Sequence, residues 1–334
     1  MWYEKYLKEY EDKVVLVTGG AGAIGGQLVR CLASNGTKEV LILDDMSSAY
    51  PWNIPKGTNV SFIEGSILDD EILRHVFKRP IDIVFHLAAH FANQNSVENP
   101  ETDLMVNGLG ILKVLEFSHL KEVERFVYSS SGCGVYGLES KMPYEEHDIS
   151  ISLYTPYQVT KLVGELYTYF FHNLYEMPIT NARFFNSYGP GEVSGKYRNV
   201  IPNFFYWARN KNALPITGTG EETRDFTFVG DIVNGLMAMG IADDAIGESI
   251  NLGTSVETKI KDLAKMINDL THNDSGVTYT KPRDWDKKKN LRASIEKARR
   301  LLGYEPATNM KSGLKSVDNW FDSNWENIIK SAEF

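Results

Sequence analysis

The chain has 334 residues, 43% of them hydrophobic, and a formal net charge of −9 from 44 acidic and 35 basic side chains. This acidic balance argues against a general nucleic-acid binder, because such a protein must neutralise phosphate groups with basic residues. Its two cysteines, Cys31 and Cys133, are too few for a secreted disulfide framework, and no run approaches the roughly 20 apolar residues of a membrane span. We therefore expect a cytoplasmic protein that acts on neither nucleic acids nor membranes.

Residues 1–12 form an N-terminal extension that mixes charged and aromatic side chains, unlike the apolar core of a signal peptide. Within it, Trp2–Tyr10 has the pattern of a short amphipathic helix. Such a helix could grip a membrane surface, but we expect it to pack on the folded domain or on a partner subunit.

Short β-branched segments alternate with helical patterns through the first half of the chain. The predicted strands are Lys13–Thr18, Val40–Asp44, Val60–Glu64, Ile81–His86, Arg125–Ser129 and Pro178–Phe184. Strands that alternate with helices form βαβ units, and continuous apolar strands fit a parallel sheet covered on both faces. This predicts an α/β fold with a Rossmann-type, doubly wound parallel sheet over residues 13–185.

The composition changes after residue 185, where Gly and Pro become frequent. Helices such as Ile260–Leu270 and Ile295–Leu302 are predicted between short strands, and no clean linker separates this part from the first. We interpret residues 186–330 as a smaller C-terminal substrate-binding lobe, interleaved with the first domain.

The first strand runs into a glycine-rich turn that a helical pattern follows. Gly19, Gly22 and Gly25 would let the chain turn sharply, bring backbone N–H groups against a pyrophosphate and pack the helix closely on the strand. The turn lies between a strand and a helix, as a dinucleotide-binding motif requires.

Asp44 ends the next strand. A carboxylate there can bind both hydroxyls of an adenosine ribose and repel the extra phosphate of NADP. Its alternative role is a cap for Ser47 or Ser48. With the glycine turn before it, Asp44 predicts that the cofactor is NAD.

A phenol and an ammonium group share one face of the predicted helix Thr155–Tyr175. Tyr157 and Lys161 are four residues apart, and a fixed positive charge beside a phenol lowers its pKa, which suits proton transfer at a sugar hydroxyl. Ser129–Ser131 closes a strand at the carboxyl edge of the sheet, where ligands bind in open α/β folds. A hydroxyl there can relay the proton, although such serines can also simply cap the strand.

In this order and spacing, these motifs resemble the extended short-chain dehydrogenase/reductase family, and more narrowly its NAD-dependent nucleotide-sugar epimerase/dehydratase branch. The resemblance covers about residues 13–320. It also rests on further segments of the chain, namely His86–Ala89, Asn107 with Gly110, Val135–Gly137, Arg183–Pro190, Asn199–Pro202, Thr223–Phe226 and Leu302–Pro306.

The resemblance implies roles for individual residues. Tyr157 would be the acid/base, Lys161 would hold the nicotinamide ribose while lowering the pKa of Tyr157, and Ser131 would be the hydroxyl partner. The other implied cofactor residues are Ala23, Ile24, Ser47, Ser66, Ile67, Leu87, Ala88, Ala89, Asn107, Ser129 and Phe184. The implied substrate residues are His90, Asn93, Asn186, Asn199, Val200, Arg224 and Arg292. Ser66 stands where the family usually has Asp, which weakens the adenine assignment.

The same resemblance narrows the reaction. Relatives that dehydrate or decarboxylate the sugar carry a carboxylate just after the catalytic Ser or Thr, and this chain has Gly132–Gly134 there instead. The simplest remaining reaction is 4-epimerisation of a nucleotide sugar, with a UDP-hexose favoured and a GDP-linked sugar possible, through a transient 4-keto intermediate. It requires only Tyr157, Ser131, Lys161 and a retained NAD.

Two departures from the family pattern leave more than one assignment open. The loop after Ser131 is one residue longer than usual, so Ser130 could occupy the catalytic place. Cys133 resembles the proton-exchanging Cys of GDP-mannose 3,5-epimerases, or it fills a tight glycine turn. The same scaffold could also serve a nucleotide-sugar 4-dehydrogenase, a keto-sugar reductase or a non-catalytic NAD-binding regulator.

We expect no metal, because His86 and His90 straddle a strand end and no third ligand has a recognisable spacing. Apolar residues of the Tyr157 helix exceed what one core-facing stripe needs. Since the family commonly pairs through this helix and the one that carries Asn107, we expect a homodimer.

Overall fold

The computed structural model describes residues 4–138 and 140–334. Its strands are β1 Val14–Thr18, β2 Glu39–Asp44, β3 Val60–Glu64, β4 Ile83–His86, β5 Arg125–Ser131, β6 Ile179–Phe184, β7 Ser187–Tyr188, β8 Leu214–Thr217, β9 Thr223–Arg224, β10 Thr227–Phe228, β11 Ser249–Leu252, β12 Thr258–Lys259 and β13 Val277–Thr280.

Helices cover both faces of the main sheet and build most of the second lobe. They are α1 Glu4–Leu7, α2 Ala23–Ser34, α3 Asp70–Val76, α4 Asn93–Glu98, α5 Pro100–Asp103, α6 Ile111–Leu120, α7 Pro156–Tyr175, α8 Val200–Arg209, α9 Val229–Met239, α10 Ile260–Thr271, α11 Glu296–Leu302 and α12 Met310–Ser331. A π-helix, Leu104–Gly110, joins α5 to α6.

Seven parallel strands form the central sheet in the order β3-β2-β1-β4-β5-β6-β11. The order reverses between β1 and β4, so the carboxyl ends of these two strands border a crevice of the kind in which doubly wound folds bind ligands. The predicted parallel, doubly wound sheet is therefore confirmed.

Two apolar layers enclose this sheet. Alternate residues of β1 divide between them: Val15 and Val17 belong to one buried cluster, and Val14 and Leu16 to the other. Both sides of the strand are thus covered, which explains why it is apolar throughout.

The last strand of the sheet comes from late in the chain. β11 pairs with β6, and α9 packs beside α2, so residues 229–252 return to the first domain. Residues 291–304, which include α11, also join the first domain's core, while α8, α10 and α12 build most of a separate buried cluster.

The N-terminal segment packs on the folded domain, as the simpler interpretation expected. The hydroxyl of buried Tyr6 donates to the Leu302 carbonyl at 2.9 Å, and that of buried Tyr10 to the Met237 carbonyl at 2.8 Å. Trp2, the first residue of the predicted helix, lies outside the described residues. No helix within the described ranges is both long and apolar enough to cross a lipid bilayer.

Candidate active site

One cavity of about 850 Å³ lies at the carboxyl ends of the central strands and extends to the second lobe. Most of the predicted site residues line it: Gly19, Gly22, Ala23, Ile24, Gly25, Asp44, Ser47, Ile67, Leu87, Ala88, Ala89, His90, Asn93, Ser129, Ser130, Ser131, Cys133, Tyr157, Lys161, Phe184, Asn186, Asn199, Val200 and Arg224. The cavity therefore brings the predicted cofactor and substrate residues together. Ser66, Asn107 and Arg292 do not line it.

The glycine turn has no room for side chains. Gly19 has a φ of +70°, and a Cβ there would lie 2.6 Å from the backbone nitrogen of Ala88. A Cβ on Gly25 would lie 2.2 Å from the Gly19 carbonyl oxygen. The backbone can consequently approach a ligand closely at the start of α2, as a pyrophosphate-binding turn requires.

Two backbone N–H groups hold the Asp44 carboxylate in place and leave some of its acceptor positions free. Its carboxylate accepts the N–H of Ala21 at 3.0 Å and the N–H of Met46 at 2.9 Å, and burial raises its pKa. Ser47 instead bonds Asp45. A carboxylate has further acceptor positions, so Asp44 can also accept the two hydroxyls of a ribose. These residues fit NAD.

Of the two residues predicted to lie by the adenine, Ile67 lines the cavity and Ser66 does not. The Ser66 hydroxyl accepts the Leu68 N–H at 3.2 Å, which makes it a turn residue at the end of β3.

Asn107 does not line the cavity, but its hydrogen bonds hold His90, which does. Its side chain accepts the His90 N–H at 2.8 Å and donates to the His90 carbonyl at 3.1 Å and to Asp103 at 2.9 Å. These bonds occupy the amide, and Asn107 does not line the cavity, so its contact with the cofactor remains a prediction. Asp103 also accepts the hydroxyl of Thr160 on the catalytic helix at 2.7 Å.

The catalytic helix α7 begins where the sequence supplies a cap. The Thr155 hydroxyl accepts the Gln158 N–H at 3.4 Å, and Pro156 occupies the first helical position. Asn93, a predicted substrate residue, accepts the Thr155 hydroxyl at 2.7 Å. The start of α7 is thus tied to the wall of the cavity.

Ser130 and Ser131 have different partners. The Ser131 side chain lies near enough to the Tyr157 phenol to lower its pKa, and its hydroxyl accepts the Gly134 N–H at 3.1 Å. The Ser130 hydroxyl donates to Glu165, which is fully buried. Glu165 also accepts two bonds from buried Arg183, at 2.9 and 2.7 Å. Of the two serines, only Ser131 therefore lies beside the phenol.

Lys161 is buried and donates to the Ser129 carbonyl at 2.8 Å. Burial lowers its pKa to about 8. Its ammonium lies 5.7 Å from the centre of the Tyr157 ring. The expected lowering of the Tyr157 pKa does not occur in this structure: burial raises it, and the Ser131 side chain offsets only part of that rise.

Cys133 lies between the two halves of the site. Its thiol donates to Asn186 at 3.5 Å. Burial raises the pKa of the thiol, although Lys288 and Arg224 oppose the rise. The thiol is therefore a weaker acid than usual and stays protonated at neutral pH.

Glu192 lines the second-lobe side of the cavity and escaped the sequence analysis. It accepts the backbone N–H of Asn199 at 3.3 Å and its side-chain amide at 3.0 Å. Burial raises the Glu192 pKa to about 7. Asn199, at the start of α8, is thereby fixed by a carboxyl group that no motif indicated.

Arg224 faces the cavity, but Arg292 does not. Arg224 lies 3.4 Å from Asp286, whereas Arg292 points towards Glu257, at 3.9 Å, outside the lining. Arg283 lines the cavity instead. The predicted substrate contact of Arg292 has no support from the lining of the cavity, because the sequence does not show which residues of the 281–292 segment point inward.

No group of three or more His, Cys, Asp or Glu side chains within residues 4–138 and 140–334 is arranged to hold a metal ion. His86 is buried and stacks on Phe126 and Tyr128. Burial lowers its pKa to about 3, so it is a neutral core residue.

Comparisons with known proteins agree with this site. The model of the NAD dependent epimerase/dehydratase family matches residues 15–253. The chain is 30% identical to the UDP-glucose 4-epimerase of Mycolicibacterium smegmatis over 309 residues, covering 92% of this chain and 97% of that protein.

Two solved structures extend the comparison. An epimerase from Methanothermobacter thermautotrophicus has a TM-score of 0.99 and 65% identity, covering 100% of this chain and 99% of that one. The Thermotoga maritima UDP-glucose 4-epimerase with UDP-glucose has a TM-score of 0.89 and 32% identity, covering 93% and 99%. With the glycine turn, Asp44 and the Tyr157–Lys161 pair in one cavity, this chain belongs to the NAD-dependent epimerase/dehydratase family.

Proposed function

We propose that this protein is an NAD-dependent nucleotide-sugar epimerase that inverts carbon 4 of a UDP-hexose through a transient 4-keto sugar. The observation that carries the proposal is that Ser131, Tyr157 and Lys161 line one cavity with the glycine turn and the second-lobe Arg224. Relatives similar over nearly the whole chain are UDP-glucose 4-epimerases, which supports a UDP-linked substrate over a GDP-linked one.

The residues that would hold NAD are the glycine turn at its pyrophosphate, Asp44 at its adenosine ribose, Ile67 at its adenine and Lys161 at its nicotinamide ribose. Bound there, NAD supplies a reversible hydride acceptor and, in its oxidised form, a positive charge beside the phenol. Such a charge would favour the phenolate, which burial disfavours in the structure.

The protein's own chemistry is proton transfer at one oxygen. The Tyr157 phenolate takes the proton of the sugar 4-hydroxyl as the C4–O bond becomes a carbonyl. Ser131 donates a hydrogen bond to one of the two oxygens between which this proton moves. After the keto sugar turns over in the cavity, Tyr157 returns the proton to the same oxygen. Atoms and electrons balance, because product and substrate are stereoisomers.

The test uses purified protein without added cofactor. We expect UDP-glucose to be converted to its 4-epimer, followed by NMR, with no accumulation of NADH absorbance. Tyr157→Phe should lower kcat by roughly 10²- to 10⁴-fold, because the proton acceptor is lost. Accumulating NADH, or turnover only with an added acceptor, would establish a dehydrogenase. No turnover of any nucleotide sugar by wild type would favour a regulator, and an unaffected Tyr157→Phe variant would exclude Tyr157 as the acid/base.

We also propose that the protein works as a cytoplasmic homodimer. Several apolar side chains of α7 and the adjoining π-helix are strongly exposed, namely Leu104, Met105, Val159, Leu166, Phe170 and Leu174. Contiguous apolar surface of this kind marks an association site.

A further inference from the structure

Lys288 reaches from the second lobe to the catalytic loop. Its ammonium donates to the Cys133 carbonyl at 3.3 Å and to the Tyr136 carbonyl, and its side chain lines the cavity. Cys133 is two residues after Ser131, whose side chain lies near the Tyr157 phenol. Lys288 therefore lies beside the reacting end of the cavity.

Within residues 4–138 and 140–334, the positive charge of Lys288 has no carboxylate partner: its hydrogen bonds go to carbonyls, and no Asp or Glu affects its pKa. The ammonium faces the Cys133 thiol and the positively charged Arg224. It also lies 5.1 Å from the centre of the Tyr144 ring. Burial lowers the Lys288 pKa to about 8, so the ammonium form prevails at neutral pH.

Lys288 is partly buried, and a cation withdrawn from water without a counter-ion is costly, so proteins usually pair it with an opposite charge. An ammonium has three N–H donors. Two of them are used on the Cys133 and Tyr136 carbonyls, which leaves one for a ligand. Lys288 lies next to Cys133, two residues from Ser131, where we expect the sugar to bind. The diphosphate can instead be bound by Arg224 and Arg283.

We propose that Lys288 binds a carboxylate on the sugar, so that the preferred substrate is a nucleotide-linked sugar acid. This rests on the proposed epimerase function and specifies its substrate class. The third N–H of Lys288 forms a charge-assisted hydrogen bond with the carboxylate, and a neutral hexose leaves the charge unpaired.

The test compares UDP-glucuronate with UDP-glucose for wild type, Lys288→Met and Lys288→Arg. We expect wild type to have a kcat/KM for UDP-glucuronate at least about tenfold above that for UDP-glucose. Lys288→Met should lose about tenfold or more on UDP-glucuronate through KM, while its UDP-glucose activity changes much less. Lys288→Arg should restore part of the loss.

Lys289→Met is the matched control. It removes one positive charge from the same loop, but Lys289 is exposed and does not line the cavity. Its selectivity should equal that of wild type.

Wild-type preference for UDP-glucose would overturn the inference even if Lys288→Met did not fold. An equal kcat loss of Lys288→Met on both substrates would also overturn it, and would make Lys288 a positioning residue of the catalytic loop. If neither sugar is isomerised, the epimerase function fails. Calorimetric titration then still decides: tighter binding of UDP-glucuronate by wild type than by Lys288→Met supports the inference, and equal binding overturns it.

Discussion

Ser130 and Ser131 are neighbours at the end of β5, but Ser130 contributes to the packing of the fold and Ser131 to the chemistry. Ser131 faces the phenol of Tyr157, and Ser130 faces buried Glu165. Side chains alternate across a strand, so the two hydroxyls point to opposite sides of the same sheet edge.

This difference predicts separable effects of two alanine substitutions. Ser131→Ala should lower kcat by roughly 10- to 100-fold, because its hydrogen bond to one of the reacting oxygens is lost. Ser130→Ala should retain kcat and lose about 1–3 kcal/mol of unfolding free energy, since it removes a bond to a buried carboxylate. Kinetics and denaturant unfolding of both variants would show it; a larger kcat loss for Ser130→Ala would reverse the assignment.

Glu192 makes stability depend on pH. Its folded-state pKa, about 7, lies above the ordinary value of 4.5, so the folded protein holds an extra proton between these values. The unfolding free energy must therefore fall as the pH rises from about 4.5 to about 7, and the loss persists above that range.

Glu192→Gln removes this ionisation and keeps an acceptor for Asn199. We expect it to melt at a higher temperature than wild type at pH 8, with the gain shrinking towards pH 4.5. Glu326→Gln on the exposed side of α12 is the control and should show no gain. An equal gain at pH 8 and pH 4.5 would contradict the role of Glu192.

At the scale of elements, the local sequence pattern predicts the strands and the long helix. Where the observed end of a strand differs from the predicted one, the difference has a physical cause. β4 begins at Ile83 instead of Ile81, since the Asp82 side chain accepts the Val14 N–H at 2.6 Å. β5 continues through Ser131, because its last residues keep pairing with β6. Such tertiary bonds leave no mark on the apolar pattern of one strand.

The site was predictable where a motif has fixed geometry, as in the glycine turn, Asp44 and the Tyr157–Lys161 pair. It was not predictable where a loop decides which side chain points inward. The sequence analysis names Arg292 and misses Arg283 and Lys288, which line the cavity, because the 281–292 segment has no periodicity that reveals its inner face. Likewise, the bonds that tie up Asn107 come from Asp103 and His90, which only the fold brings together.

The exposed face of α7 carries a prediction about assembly. Leu166→Glu places a charge where we expect the partner helix, so the variant should be monomeric by size-exclusion chromatography with light scattering, whereas wild type is dimeric. Val256→Glu is a matched control, because Val256 is 61% exposed against 60% for Leu166 but lies far along the chain, between β11 and β12. If the Leu166→Glu variant is still dimeric, the dimer interface must lie on another surface.

At the scale of the whole molecule, the first domain is incomplete without residues from the second half. β11 covers the outer edge of β6, and α9 contributes Ile232 and Leu236 to the core that contains β1. An uncovered β6 would be an unpaired sheet edge next to exposed apolar surface.

We therefore expect residues 1–185 expressed alone to aggregate, and to become soluble when residues 186–334 are co-expressed. Solubility and co-purification measure this directly. A monomeric 1–185 fragment with a cooperative melting transition would show that the sheet is stable without β11 and α9.

The return of the chain to the sheet at β11 also limits how such a protein can evolve. A cut at any one position removes either part of the first domain or part of the second lobe, so a new substrate preference cannot be acquired by exchanging a whole C-terminal module. It must instead arise by substitutions and insertions within residues 186–228 and 254–331. Loops such as 281–289 can vary there while α9 and β11 preserve the frame that holds the cofactor.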